Sequence, residues 1–303
     1  MTLPAFFLIL CSCVMHAGWN LACKAKTPSA AFFTLSTSSS VLLMTPLYLH
    51  FAPHLKNIPG PVWGILAVTG FFQTLYYVSL GNAYRLSEMS LAYPMIRSLP
   101  VLMVPMVCGM VGYGRPVSGV SLAGMVIIAL GCMALPLTGL GRAFFREYFR
   151  HPFLFVALAA IGITAYSIID SKGLELLRSG TLPFSALRMA LFYIAFENLF
   201  ILACLCLYVP FSTRERTSLN RLRVDSLRYP LLAGPATTTA YVLVLLAMQL
   251  ASNVSYVVAF RQLSILFGVV FGFLVLRERV TAMKLAGTAL ILVGLVLTAL
   301  GSA

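Results

Sequence analysis

Arg97 and Arg261 each interrupt a long run of otherwise apolar residues, and His16, Asp170, Arg188 and Glu197 lie within similar runs or just inside their ends. An ionised side chain at the centre of a helix in hydrocarbon costs about 2.5–3.5 kcal/mol, so each must find an interior partner or a water-filled cavity. A guanidinium is permanently charged, and its planar fork of donors fits a carboxylate or phosphate bidentately. Two of them in one cavity would hold an anion. The competing role is architectural, with each arginine tied to Asp170, Glu197 or a backbone carbonyl. His16, Asp170 and Glu197 could also take up and release protons during a transport cycle. For a lone histidine in such a run, a hydrogen-bonded structural role competes.

Aromatic residues concentrate near these charges: Trp19 (followed by Asn20), Phe71, Phe72, Tyr76, Tyr77, Tyr93, Tyr166, Tyr241 and Tyr256. Tyrosines in membrane proteins often sit at the lipid–water interface. Tyr77 and Tyr241 lie mid-run and are the stronger candidates for a binding wall. Pro94, Pro100 and Pro105 each remove a backbone donor from one run, and are expected to bend it and open a cavity wall. The seven cysteines fall almost entirely in apolar stretches without a CxxC, which argues for packing rather than metal or disulfide roles. No GxxxxGK[ST], HExxH or GxSxG occurs. The sequence therefore points to no enzyme, no cofactor and no direct drive by ATP.

The elements that position these residues follow from composition. The 303 residues are 60% hydrophobic and 10% charged, with a mean hydropathy of +0.94, against about 25% charged in ordinary soluble domains. Lipid must be the solvent for most of the chain. The spacing predicts an all-α integral membrane protein with ten transmembrane helices near 4–22, 29–50, 61–83, 89–112, 118–137, 152–171, 183–209, 230–250, 254–276 and 281–300. The first run lacks a basic n-region and continues into HAGWN (16–20), so it reads as a retained span.

The net charge of +13 resides mainly in the short connections, with no aromatic interleaving on a polar face. A lipid bilayer rather than nucleic acid is the expected partner. Counting Lys284 at the start of the last span with the ninth connection, the odd-numbered connections hold fourteen Lys and Arg and the even-numbered ones four, which places both termini outside the cytoplasm.

A shift of 163 brings Gly124 onto Gly287, Gly131 onto Gly294 and Ile128 onto Ile291. A shift of 164 brings Tyr77 onto Tyr241 and Arg97 onto Arg261. Residues 1–140 and 152–303 thus read as two five-helix repeats. An odd number of spans forces the second in upside down, with the site between the halves. Arg97 and Arg261 would then lie toward opposite mouths of a central path. The paired glycines put small residues on one face of spans five and ten, for helix packing or for a homodimer, and GVVFG at 268–272 has the spacing for close helix contact.

HAGWNLACK (16–24), AYRLSEMSLAYPMIRSLPVL (83–102) and LRERVTAMKLAGTALILVGLVL (276–297) resemble the EamA-like ten-span proteins of the drug/metabolite transporter superfamily. The opening motif also resembles the subgroup associated with phosphonate utilisation. The resemblance covers essentially the whole chain. It implies a multi-pass transporter of the bacterial inner membrane that moves a small molecule by alternating access, with both termini in the cytoplasm, contrary to the charge count. Together with the arginines, it points to an anionic or zwitterionic metabolite, a phosphonate or phosphorylated compound among them. The alternatives are a flippase for lipid or lipid-linked substrates and a non-transporting membrane subunit.

Overall fold

The computed structural model describes residues 2–23, 29–86, 89–137, 153–180, 184–225, 227–276 and 281–302, and the described residues form helices and connections without a strand. Among the described residues thirteen α-helices follow in order: α1 (Leu3–Cys23), α2 (Ala30–Leu43), α3 (Thr45–Phe51), α4 (Gly60–Leu86), α5 (Met89–Val111), α6 (Gly119–Ala134), α7 (Phe153–Ser179), α8 (Ala186–Tyr208), α9 (Thr213–Asp225), α10 (Arg228–Leu250), α11 (Val254–Phe260), α12 (Leu263–Leu276) and α13 (Ala282–Leu300). Among the described residues, seven helical spans are long and apolar enough to cross a bilayer. The stretch from α2 into α3, bent by 53°, makes an eighth, and the predicted first and fifth spans are occupied by shorter apolar stretches, Leu3–Gly18 and Gly119–Ala134. Hydroxyl and amide caps start several helices where sequence signals placed boundaries. Ser29, Ser118, Ser185, Asn253 and Thr281 each accept from a backbone N–H in the first turn that follows.

The most extensive packing joins α6 to α13 and α4 to α7, followed by α1 with α10, and then α2 with α10 and α4 with α8. In the first pair the glycines meet each other. A Cβ on Gly124 would stand 2.6 Å from the Gly294 carbonyl oxygen, and one on Gly131 would stand 2.8 Å from that of Gly287. This glycine face is therefore occupied within the chain. Gly268 of GVVFG behaves differently, because a Cβ there would meet nothing within 4 Å, so the close contact expected from its spacing is not made by Gly268. Gly272 lies outside the residues whose side chains are described.

The expected bending at prolines is displaced. Helix α5 runs unbroken through Pro94, Pro100 and Pro105. The ninth span, which lacks proline, breaks between α11 and α12 at Arg261 and Gln262, where the backbone bonds tighten to Gln262 N–H to Ala259 C=O and Ser264 N–H to Arg261 C=O. Two other helices and the span itself reach this point, Arg97 on α5, Cys13 on α1 and Ser264 on α12. The Arg261 carbonyl also accepts from Arg97 Nη2 at 2.8 Å, from Ser264 Oγ at 2.8 Å and from Cys13 Sγ at 3.5 Å.

Candidate functional site

A cavity lies where α1, α2, α4, α5, α7, α8, α10 and the α11–α12 break converge. Its lining includes both intramembrane arginines, each less than a tenth exposed. It also includes His16, Tyr77, Tyr93, Tyr166 and Tyr241 of the residues singled out in sequence. The side chains of Trp19 and Asn20 lie outside the described residues. Phe71 is more than half exposed on the outer surface, and neither Phe72 nor the buried Tyr256 lines the cavity. Arg188, at the exposed start of α8, is not part of it.

The two arginines are not separated toward opposite mouths. Arg97 reaches the Arg261 carbonyl directly and adds a 3.1 Å bond to Ser264 Oγ, while its Nε is buried without a partner. Arg261 sits over the Tyr241 ring, with Cζ 5.5 Å from the centroid, a geometry favoured for a guanidinium on an aromatic face. Among the described residues no carboxylate lies within ion-pair distance of either guanidinium, and no Asp or Glu lines the cavity.

One wall is aromatic. Phe33 stacks on Tyr77 at 4.1 Å between centroids, Tyr76 bridges Tyr77 and Tyr166 at 5.3 and 6.1 Å, and Tyr166 meets Tyr241 edge-on at 6.0 Å. The rings thus run as a continuous strip from α2 to Arg261. Uncharged polar groups complete the lining: Ser12, Gln73, Asn198, Thr238 and Ser264. Sequence reasoning passed over them, since serine, threonine or an amide in an apolar run is tolerated in many places and signals no particular one. Only Ser264, just after the break at Arg261, and Gln73, in the α4 spacing Gln73–Tyr76–Tyr77–Leu80, stand beside such a signal.

The acids stand behind this wall. Asp170, fully buried, accepts from Thr69 Oγ1 at 2.6 Å, from Tyr193 Oη at 3.0 Å and from Tyr241 Oη. Asp170 therefore reaches the cavity through Tyr241, whose ring carries Arg261. Glu197 is also fully buried, and neither of its carboxyl oxygens has a hydrogen-bond partner. It precedes Asn198, which lines the cavity and donates to Thr238 Oγ1 at 3.5 Å.

The cavity is buried and aromatic-walled, carries two guanidiniums, and lies among helices long and apolar enough to cross a membrane. The model of the EamA-like transporter family matches residues 151–300. The chain belongs to the EamA-like transporter family. It is accordingly a multi-pass membrane transporter. No curated protein matches the sequence. Among the 28 solved chains that match in structure, one crystal structure of a protein is similar over 98% of both chains, with a TM-score of 0.64 at 14% identity. That likeness shows the fold alone.

Proposed function

We propose that this EamA-like transporter carries a small anionic or zwitterionic metabolite, phosphorylated or phosphonate compounds among the candidates, across the bacterial inner membrane by alternating access. The anion would be held by Arg97 and Arg261. The observation that carries this is the charge imbalance of the cavity: among the described residues, two guanidiniums and no carboxylate line it. Burying two cations is costly unless something neutralises them, and Asp170 is already engaged by three hydroxyls. An incoming carboxylate or phosphate supplies the missing charge and meets the unpartnered Arg97 Nε. The aromatic strip would take the apolar or cationic remainder of the substrate.

Alternating access draws support from the packing. Exchanging spans one to five with six to ten turns the α1–α10 contact into the α7–α4 contact, and α2–α10 into α8–α4. It also exchanges the Gly124–Gly294 contact with the Gly287–Gly131 one. Reciprocity of this kind is what two inverted repeats produce. His16, Asp170 and Glu197 remain the candidates for proton coupling, with Asp170 the one linked to Arg261 through Tyr241.

The test is uptake into proteoliposomes using a panel of phosphorylated and amino compounds, for wild type and for Arg97→Lys and Arg261→Lys. Losing one charge-assisted fork of about 1.5–3 kcal/mol should weaken half-saturation about tenfold or more, measured on the folded fraction of each variant. Normal transport by both variants overturns the anion site. An apolar groove on α5 and α6, lined by Leu102, Pro105, Met106, Met110, Met125 and Val126, favours a second reading as a lysolipid flippase. Uptake of a short phosphate ester but not of a lysophospholipid rejects it.

A further inference from the structure

The cavity is one-sided. Its lining includes Phe33 near the start of α2, Tyr84 near the end of α4, Tyr93 near the start of α5 and Thr237 in the first half of α10. All four lie toward the end of the helix bundle that carries α9, the arginine-rich helix of the seventh connection. Among the described residues, no lining residue comes from the span ends at the even-numbered connections.

That opposite face is closed by contacts between the two halves of the chain. Asn253, the cap of α11, donates through Nδ2 to the Arg115 carbonyl at 2.9 Å and approaches that of Tyr113 at 3.4 Å. The Arg115 N–H donates back to the Ser252 carbonyl at 3.3 Å, and Tyr113 Oη donates to Ser171 Oγ on α7 at 3.0 Å. Asn253 is 5% exposed, so these bonds lie beneath the surface. The turn that delivers them needs glycine. Gly114 has a φ of +75°, and a Cβ there would stand 2.9 Å from Asn253 Nδ2.

The geometry points to a gate: the GYGRP turn (112–116) clamped on Asn253 holds the face of the even-numbered connections shut while the cavity communicates with the arginine-rich face. This inference rests on the alternating-access reading above. The opposite state requires Asn253 to release the turn, so weakening the clamp shifts the population toward it.

The test uses the full chain with its cysteines replaced and Ser12→Cys placed in the cavity. It is reconstituted in vesicles whose orientation is read by protease cleavage near Asn220. A membrane-impermeant maleimide is applied to each face, and labelling is scored on the folded fraction. The gated chain should be labelled from the Asn220 face only. Asn253→Ala and, independently, Gly114→Ala should each raise labelling from the opposite face about five- to tenfold, as expected when a buried hydrogen-bonded contact is lost from one of two states. Labelling of the gated chain from the opposite face, or no change in both variants, overturns the gate. Because labelling needs no substrate, failure of transport in the wild type counts against the anion-transport reading and leaves the gate result standing.

Discussion

Asp170 separates what sequence shows at a single position from what only packing shows. An aspartate in an apolar run was visible at once, as were Arg97 and Arg261, because lipid makes every ionised group conspicuous. Its partners were not. Thr69, Tyr193 and Tyr241 come from three different helices, and nothing in local spacing announces them. The same holds for the Arg97–Arg261 bond. Position along equivalent spans suggested separation toward opposite mouths, whereas a long side chain reaching a freed carbonyl brings the two residues together. The hydroxyl arrangement predicts the effect of Asp170→Asn. An amide offers one acceptor oxygen and turns its other edge into a donor, so at least one of the three hydroxyls loses its acceptor. Breaking a buried charge-assisted contact costs about 1.5–3 kcal/mol, and the melting temperature in detergent should fall by several degrees. Tyr241→Phe removes one of the three donors and should lower it less. If Asp170→Asn melts with the wild type, the carboxylate is not holding these helices together.

Helices were legible as apolar stretches and their glycines as small faces, yet what each face touches was only partly so. Gly124, Gly131, Gly287 and Gly294 recur seven apart, and the crossing of α6 with α13 uses all four at backbone distance. Gly268 shares the motif logic without a neighbour. Similarly, three prolines in α5 promised a bend, while the break falls in the ninth span, where Arg97, Ser264 and Cys13 capture one carbonyl. Proline is a local signal; capture by another helix is not. The glycine crossing carries its own prediction. A methyl on Gly124 would collide with the Gly294 carbonyl oxygen and Thr298, and backbone cannot yield cheaply. Gly124→Ala and Gly294→Ala should each destabilise by about 1–3 kcal/mol, and the double variant should cost less than their sum, because the two methyls force the same separation. Thermal melts of the three variants decide this. Additive losses would show that the two glycines act separately.

At the scale of the whole molecule, the sorting of connections onto two faces is the feature that fixes function to direction. Even-numbered connections meet one another: Tyr113 with Ser171, Asn253 with Arg115, and Arg178 with the Gln249 carbonyl just before the eighth connection. The N-terminus joins them through Thr2 Oγ1 to the Leu250 carbonyl, and the C-terminal Gly301 carbonyl accepts from Ser118 Oγ beside the fourth connection. On the other face, helix α9 of the seventh connection packs beside the start of α2, with Glu215 accepting from the Ala31 N–H at 2.9 Å and Ser218 meeting Ser29 at 3.1 Å. Among the described residues, Arg214, Arg216, Arg221 and Arg223 of α9, with Arg228 at the start of α10, lie on that second face. Cations of short loops are retained on the cytoplasmic side during insertion, so α9 should be cytoplasmic and both termini outside. A reporter that is active only outside the cytoplasm, fused after residue 303, should be active, and the same reporter inserted near Asn220 should be silent. A reporter active only in the cytoplasm should give the reverse. The cavity, which extends toward the arginine-rich face, would then open to the cytoplasm, and the Asn253 clamp would be its outer closure. A silent C-terminal fusion together with an active one at Asn220 would invert the molecule, leaving cavity and clamp in place but making this the outward-facing state.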